Sequence, residues 1–300
     1  MTRFGLRRPL ALAAVLVTAT AITTVARAQT SATPTGNFGG GTLAVPVSEK
    51  TVAKDMLLSI RSVAGGRLGI DGQMFASCGI GAISGDAKLA ADGSFVLTGK
   101  VTRKPLVSVR QTTTFTVKGT LTADGGQGTA SMKLSVASKG HKTRNCSSHT
   151  VGWTVRRPVP TAAAPSAAPN ENLLYGMTSQ SGARAKRAIV LHTASGGRRI
   201  DRLTFGFRSS CSQNRIIAAD DVDISPEFDV AADGSFREVE RFKVAYSDVI
   251  AHTTVVVRGQ FDAAGGAAGK LAVTERYTSR KTGKRVDECV TGTRSWSAHT

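Results

Sequence analysis

Three hundred residues with 41 % hydrophobic and 20 % charged side chains make a chain too apolar for intrinsic disorder and long enough for one large domain or two of ordinary size. Only 5 % are aromatic while glycine occurs 32 times, which favours strands and tight turns over long helices. No stretch after the N-terminus approaches the roughly 18 apolar residues of a spanning helix, which excludes a helical membrane bundle, and the formal charge of +18 points toward anionic partners.

The chain opens with an expected export signal. Arg3, Arg7 and Arg8 precede an uncharged apolar run over residues 9–25, and Ala26, Arg27 and Ala28 supply the small-x-small pattern of a signal-peptidase site. Threonines at 18, 20, 23 and 24, together with the short run, argue against a membrane anchor. Arg7 and Arg8 also suit a twin-arginine route, although the usual flanking residues are missing. Residues 1–28 are thus expected to be cleaved after Ala28, and losing their four arginines takes the formal charge from +18 to +14. The remainder is expected to be secreted, with residues 29–41 as a flexible Thr/Ser/Gly leader.

A first β-domain is expected over residues 42–157. Phe115, Val117 and Leu121 alternate with Thr116, Lys118 and Thr120, the period of a strand with one buried face. Gly-Gly and Asp-Gly pairs suit the positive φ of hairpin turns, so successive strands should pair antiparallel as a meander. Residues 158–170 hold four of the nine prolines and read as a semi-rigid Pro/Ala-rich spacer. A second β-domain is expected over residues 171–299, where Leu203, Phe205 and Phe207 alternate with Thr204, Gly206 and Arg208.

The two domains read as copies. AADGSF at residues 90–95 recurs at 231–236, and FTVKGTL at 115–121 aligns with VVVRGQF at 255–261. Gly65 and Gly66 lead to Cys78 as Gly196 and Gly197 lead to Cys211, and Cys146 and Cys289 each stand seven residues before a tryptophan, Trp153 or Trp296. The expected fold class is all-β, with two tandem antiparallel meander domains of about eight strands each; the pattern fits either a sandwich or a small closed barrel. Trp153 and Trp296 lie in the last strand of each copy and read as core. Equivalent placement pairs Cys78 with Cys146 and Cys211 with Cys289, one disulfide per copy, as suits an exported chain. The spacing fits neither a metal site nor a redox dithiol.

Chemistry-bearing motifs are sparse. His141, His149, His192, His252 and His299 lie in no catalytic motif, and G-x-S-x-G, H-E-x-x-H and the Walker loop do not occur. No catalytic residue, metal ligand or cofactor is assigned, and the chain reads as a non-enzyme. Asp220, Asp221, Asp223, Glu227 and Asp229 lack the 12-residue calcium-loop pattern and read as a solvated acidic loop, with calcium ligation as the alternative.

Dense positive charge recurs just before the second cysteine of each copy, at Lys139, Lys142 and Arg144 and at Arg280, Lys281, Lys284 and Arg285. Two such hairpin tips suit a polyanion, an anionic cell-wall or other extracellular polymer. Aromatic residues interleaved to stack single-stranded nucleic acid are missing. The function expected is a secreted, non-catalytic binding or interaction protein; the alternative is a secreted hydrolase or hydrolase inhibitor with its site in the second domain.

The series of Gly-Gly turn, Cys, Asp-Gly-Ser-Phe, strand-Gly-strand, Cys and terminal Trp resembles a widespread type of small secreted β-domain found in actinobacterial extracellular proteins. The opening strand of that type often reads like YGMTSQ at residues 175–180 here, whereas FGGGT at 38–42 matches only loosely. The resemblance implies a fold and a compartment, and no activity.

Overall fold

The computed structural model describes residues 34–43, 55–106, 109–138, 140–158, 164–181, 186–213, 216–224, 228–246 and 248–300. The expected signal peptide, residues 1–28, lies outside the described residues, as do residues 29–33 of the leader and 159–163 of the spacer. The described residues form strands and no helix. The first half contributes β1 (Gly36–Thr42), β2 (Met56–Val63), β3 (Arg67–Ala76), β4 (Gly79–Lys88), β5 (Ser94–Leu106), β6 (Val109–Leu121), β7 (Gly125–Ser138), β8 (Arg144–Ser147) and β9 (Val151–Arg156). The second contributes β10 (Leu173–Ser181), β11 (Lys186–Ala194), β12 (Arg199–Cys211), β13 (Ile216–Ile224), β14 (Phe228–Asp229), β15 (Ser235–Ala245), β16 (Val249–Phe261), β17 (Gly266–Ser279), β18 (Arg285–Val290) and β19 (Arg294–His299).

Every ladder is antiparallel, as short glycine-bearing turns between consecutive strands require. In the first half the order is β4-β3-β2-β1-β9-β7-β6-β5, with β8 on β7, so the last long strand returns to pair with the first. The ends of this path, β4 and β5, lie side by side and leave a seam, with Gly85 of β4 facing the Leu97 side chain of β5. Nearby the buried hydroxyl of Thr113 on β6 accepts the Ala82 N–H of β4 at 3.2 Å, giving a side-chain partner to a backbone donor on this end strand. The result is a nearly closed barrel. In the second half the order is β13-β12-β11-β10-β19-β17-β16-β15, and β18 pairs with both β12 and β17. That bridge closes a ring of six strands. Each sheet is a barrel rather than a sandwich because its path curls round on itself, until β4 lies beside β5 in the first half and β18 joins β12 to β17 in the second.

The repeated motif residues converge inside each barrel. Phe95 and Trp153 approach with ring centroids 5.9 Å apart and planes at 34°; Phe236 and Trp296 do so at 5.9 Å and 35°. All four rings are buried in the two cores. Between them passes a glycine of the neighbouring strand: a Cβ on Gly119 would lie 2.5 Å from Trp153, and one on Gly259 would lie 2.6 Å from Trp296. The Asp-Gly-Ser-Phe turn, the strand glycine and the final tryptophan are thus three parts of one packing unit. Both indole N–H groups are buried with no hydrogen-bond partner among the described residues, so the rings contribute by area and shape.

Disulfides join Cys78 to Cys146 and Cys211 to Cys289. Each closes a long loop, 68 and 78 residues in separation, for which chain entropy suggests on the order of 4 kcal/mol. In the second barrel the bonded cysteines face each other across the β12–β18 ladder that closes the ring.

The two barrels pack directly on one another, and residues 31–300 form a single compact unit. Leu43, Leu57, Ala188 and Val190, backed by Leu173 and Tyr175, make an apolar cluster separate from either barrel core. Two ion pairs flank it: Arg202 with Asp55 at 2.6 Å, and Arg187 with Asp71 at 2.8 Å. In both, the second half supplies the cation. Backbone approaches backbone here, because a Cβ on Gly39 of β1 would collide with the Gly176 carbonyl of β10.

This packing changes three expectations. Residues 36–41, read as loose leader, form most of β1, which pairs with both β2 and β9; the glycines that suggested flexibility serve close approach. The described part of the spacer is docked: Ser166 N–H donates to the Phe261 carbonyl at 3.1 Å, Pro165 bridges Asp262, and Ala168 is buried in the second core. Asp220, Asp221 and Asp223 belong to strand β13, where Asp221 and Asp223 oppose Gly206 and Thr204 of β12, rather than to a solvated loop. Glu227 lies outside the described residues.

Candidate functional site

The two basic segments occupy equivalent hairpins, between β7 and β8 and between β17 and β18. In the first, Lys142 and Arg144 are exposed with no ion-pair partner among the described residues, and Lys139 lies outside them. In the second, Arg280, Lys281, Lys284 and Arg285 are all exposed. Glu288 lies 2.9 Å from Arg285 and 3.2 Å from Arg276, so part of that charge is balanced locally. The Arg280 guanidinium donates to the Tyr246 carbonyl at 3.2 Å, which fixes its stem against the neighbouring turn.

The strands behind the tips distinguish the halves. From Ser94 to Ser147 there are nine basic residues and one acid, Asp124; the matching stretch from Ser235 to Val290 has ten basic residues and seven acids. The first half contains six acids after residue 28. Two of these, Asp55 and Asp71, are committed to the barrel interface, and Asp86 pairs with Arg67 at 3.5 Å. The outer face of β5–β8 is therefore left with cations and hydroxyls.

Register arranges that face in rows. Lys100, Thr114, Lys133 and Ser147 stand opposite one another on successive strands, and the next row runs Thr102, Thr112, Ser135 and Asn145. Neighbouring strands lie about 4.8 Å apart, so Lys100 and Lys133 flank a hydroxyl at roughly 10 Å separation. All of these residues but Thr102 line a groove of about 640 Å³ that ends beside Cys146, and the chain continues from it into the tip carrying Arg144 and Lys142. Threonine is favoured here by its β-propensity, and its hydroxyl leaves a donor pointing outward beside each ammonium. The tips were legible in the sequence; the rows behind them were not, because Lys100 and Lys133 are 33 residues apart in the chain and meet across Thr114 only through register.

The histidines form no catalytic constellation among the described residues. His192 Nδ1 lies 2.6 Å from Asp201 Oδ1, the geometry of a base held by its carboxylate. The ring is only 9 % exposed, stands opposite Arg202 across the β11–β12 ladder, and has no hydroxyl partner on its other nitrogen among the described residues. It is held within the second barrel, between β10 and β12. His252 Nε2 contacts the Thr278 hydroxyl at 3.3 Å, and His299 Nε2 contacts the Arg157 carbonyl at 2.7 Å, which ties the last strand to the end of the first barrel.

Cys211, Asp287 and Cys289 bring three metal-type ligand atoms together, but the two sulfurs are bonded to each other and Asp287 accepts the Ser212 hydroxyl at 2.6 Å. No thiolate remains for an ion. No helix among the described residues is long and apolar enough to cross a membrane. Comparisons with protein-family models, with curated proteins and with solved structures find nothing that this chain matches.

Proposed function

We propose that this protein is a secreted, non-catalytic binding protein that holds an anionic extracellular polymer along the outer face of β5–β8 and the two basic hairpin tips. The observation that carries this reading is the run of nine cations against one carboxylate over Ser94–Ser147, with Lys100 and Lys133 standing among hydroxyls on the outer face of β5–β8. A polyanion bound there meets few like charges, and its condensed counterions are released as lysines replace them. Two disulfides suit an extracellular setting, and the resemblance to actinobacterial secreted β-domains belongs to the same reading.

The test is retention of the chain from residue 29 on immobilised teichoic acid and on double-stranded DNA, at salt rising from 0.05 to about 0.5 M. Retention on one or both, falling linearly on a log–log salt plot, with a shallower slope for Lys100→Gln/Lys133→Gln, is the expected result. Passage through both columns at the lowest salt removes the proposal.

A further inference from the structure

We infer that the second barrel carries a separate, discrete site for a ligand bearing two or three adjacent phosphoryl or sulfate groups, built by Arg237, Arg258 and Lys270. These three residues stand directly opposite one another on β15, β16 and β17, so their side chains leave the same face of the sheet in one row. All three are exposed, and none has an ion-pair partner among the described residues. With strands about 4.8 Å apart, three full positive charges occupy a line roughly 10 Å long.

Like charges directly opposite on neighbouring strands destabilise a sheet, so an unliganded row of this kind is held against its own repulsion. An oxyanion placed over the row reverses the sign of that interaction. The row is also set in a concavity: a groove of about 740 Å³ is lined by the three cations together with Ser235, Gln260 and Asp229. The one carboxylate, Asp229, is 3.8 Å from Arg199, which offsets its charge. The backbone of Gly259 and Gly269, beside Arg258 and Lys270, completes the lining of the groove.

The site is particular to the second copy. The matching row of the first barrel reads Val96, Lys118 and Thr129, with one cation in place of three. Arginine supplies two of the three charges, and its planar fork can give two donors to one phosphoryl or sulfate group, while Lys270 adds a point charge at the end of the row. The ligand is thus read as short and densely anionic, in contrast to the extended polymer proposed for β5–β8, and the inference does not rest on that proposal.

Calorimetric titration of the chain from residue 29 with sodium tripolyphosphate and with sucrose octasulfate, at about 0.15 M salt, tests it. Saturable binding of either probe is expected, and whichever binds names the source of the oxyanions. Arg258→Gln, which removes the central cation, should weaken binding about tenfold, as expected for loss of a charge-assisted contact. Arg241→Gln, on another row of β15, and Lys281→Gln, on the tip, should change it less than about twofold. Arg258→Gln should also raise the melting temperature of the free protein, since it relieves repulsion, which shows that the variant folds. Binding of neither probe, or equal losses in all three variants, overturns the inference. Loss of polymer retention in Lys100→Gln/Lys133→Gln with tripolyphosphate binding intact separates the two proposals.

Discussion

The guanidinium of Arg202 on β12 donates to the carboxylate of Asp55, just ahead of β2, at 2.6 and 3.3 Å, and the side chains are 0 % and 1 % exposed. One fully buried charge from each barrel is thus paired with the other. Neither barrel could bury its member of the pair alone without a large desolvation cost, so the contact makes the two repeats mutually dependent.

Removing one partner should show this dependence. Arg202→Ala leaves the Asp55 carboxylate buried and is expected to lower the unfolding free energy by about 3–5 kcal/mol. The double variant Asp55→Leu/Arg202→Met, which replaces charge with apolar volume, should recover most of that loss. Urea denaturation followed by far-UV circular dichroism and tryptophan fluorescence gives both numbers, and a loss in Arg202→Ala below about 1 kcal/mol would show that the pair is not coupled to folding.

The glycines beneath the tryptophans should tolerate no side chain. Gly119→Ala and Gly259→Ala are each expected to destabilise by about 1–3 kcal/mol through overpacking against Trp153 and Trp296. Matching losses in the two halves, together with altered tryptophan emission, would reflect the shared packing unit. Unchanged midpoints would mean that the rings shift freely.

Acid sensitivity should come in part from the two Asp-Gly-Ser turns. The Asp92 carboxylate accepts from the Ser94 hydroxyl and N–H, and Asp233 accepts from the Ser235 N–H and hydroxyl; both are held below the ordinary carboxylate range. A depressed carboxyl pKa contributes stability that is fully present above the unfolded value and lost as pH falls through the folded one. The melting temperature should therefore change little between pH 7 and about 5 on this account and decline below about pH 4. Asp92→Ala/Asp233→Ala should flatten that decline, while a variant with the same acid profile as the parent would contradict the assignment.

Tyr175 works in the opposite direction. Burial at the barrel junction raises its phenol above the usual value, although the Thr154 hydroxyl and Arg156 oppose the shift. A raised phenol pKa gives stability present below the unfolded value and lost as pH rises through the folded one, so the junction should weaken above about pH 10. Tyr175→Phe should lose this alkaline transition, as read by thermal melts between pH 8 and 11.

Each disulfide should also be separable. Cys78→Ser/Cys146→Ser and Cys211→Ser/Cys289→Ser are each expected to cost about 2–5 kcal/mol. The second pair lies across the ladder that completes the six-stranded ring, so its loss should additionally speed hydrogen exchange at Ser210 and Val290. Exchange at those amides no faster than in the parent would show that the ladder holds without its staple.

Much of the architecture is written in local pattern. Alternation such as Leu203-Phe205-Phe207 marks strands with one buried face, and the recurrence of AADGSF marks the duplication, because turn and core positions are fixed by nearest neighbours. Closure into barrels, the docking of residues 164–168, the role of residues 36–41 as a strand and the place of Asp220–Asp223 on β13 depend on partners more than ten residues away in the chain, which no local period encodes.

The same division holds for the charges. The amino-acid sequence by itself determined an all-β, duplicated, basic chain with two recurring cationic turns, since composition and short-range period carry that information. Only the tertiary structure decided that Asp55 and Asp71 are withdrawn into the barrel interface, that Lys100 and Lys133 share one groove, and that Arg237, Arg258 and Lys270 stand in line. The physical reason is that strand register and barrel packing bring together residues far apart in sequence, and the electrostatic character of a surface depends on which charges those long-range contacts leave exposed together.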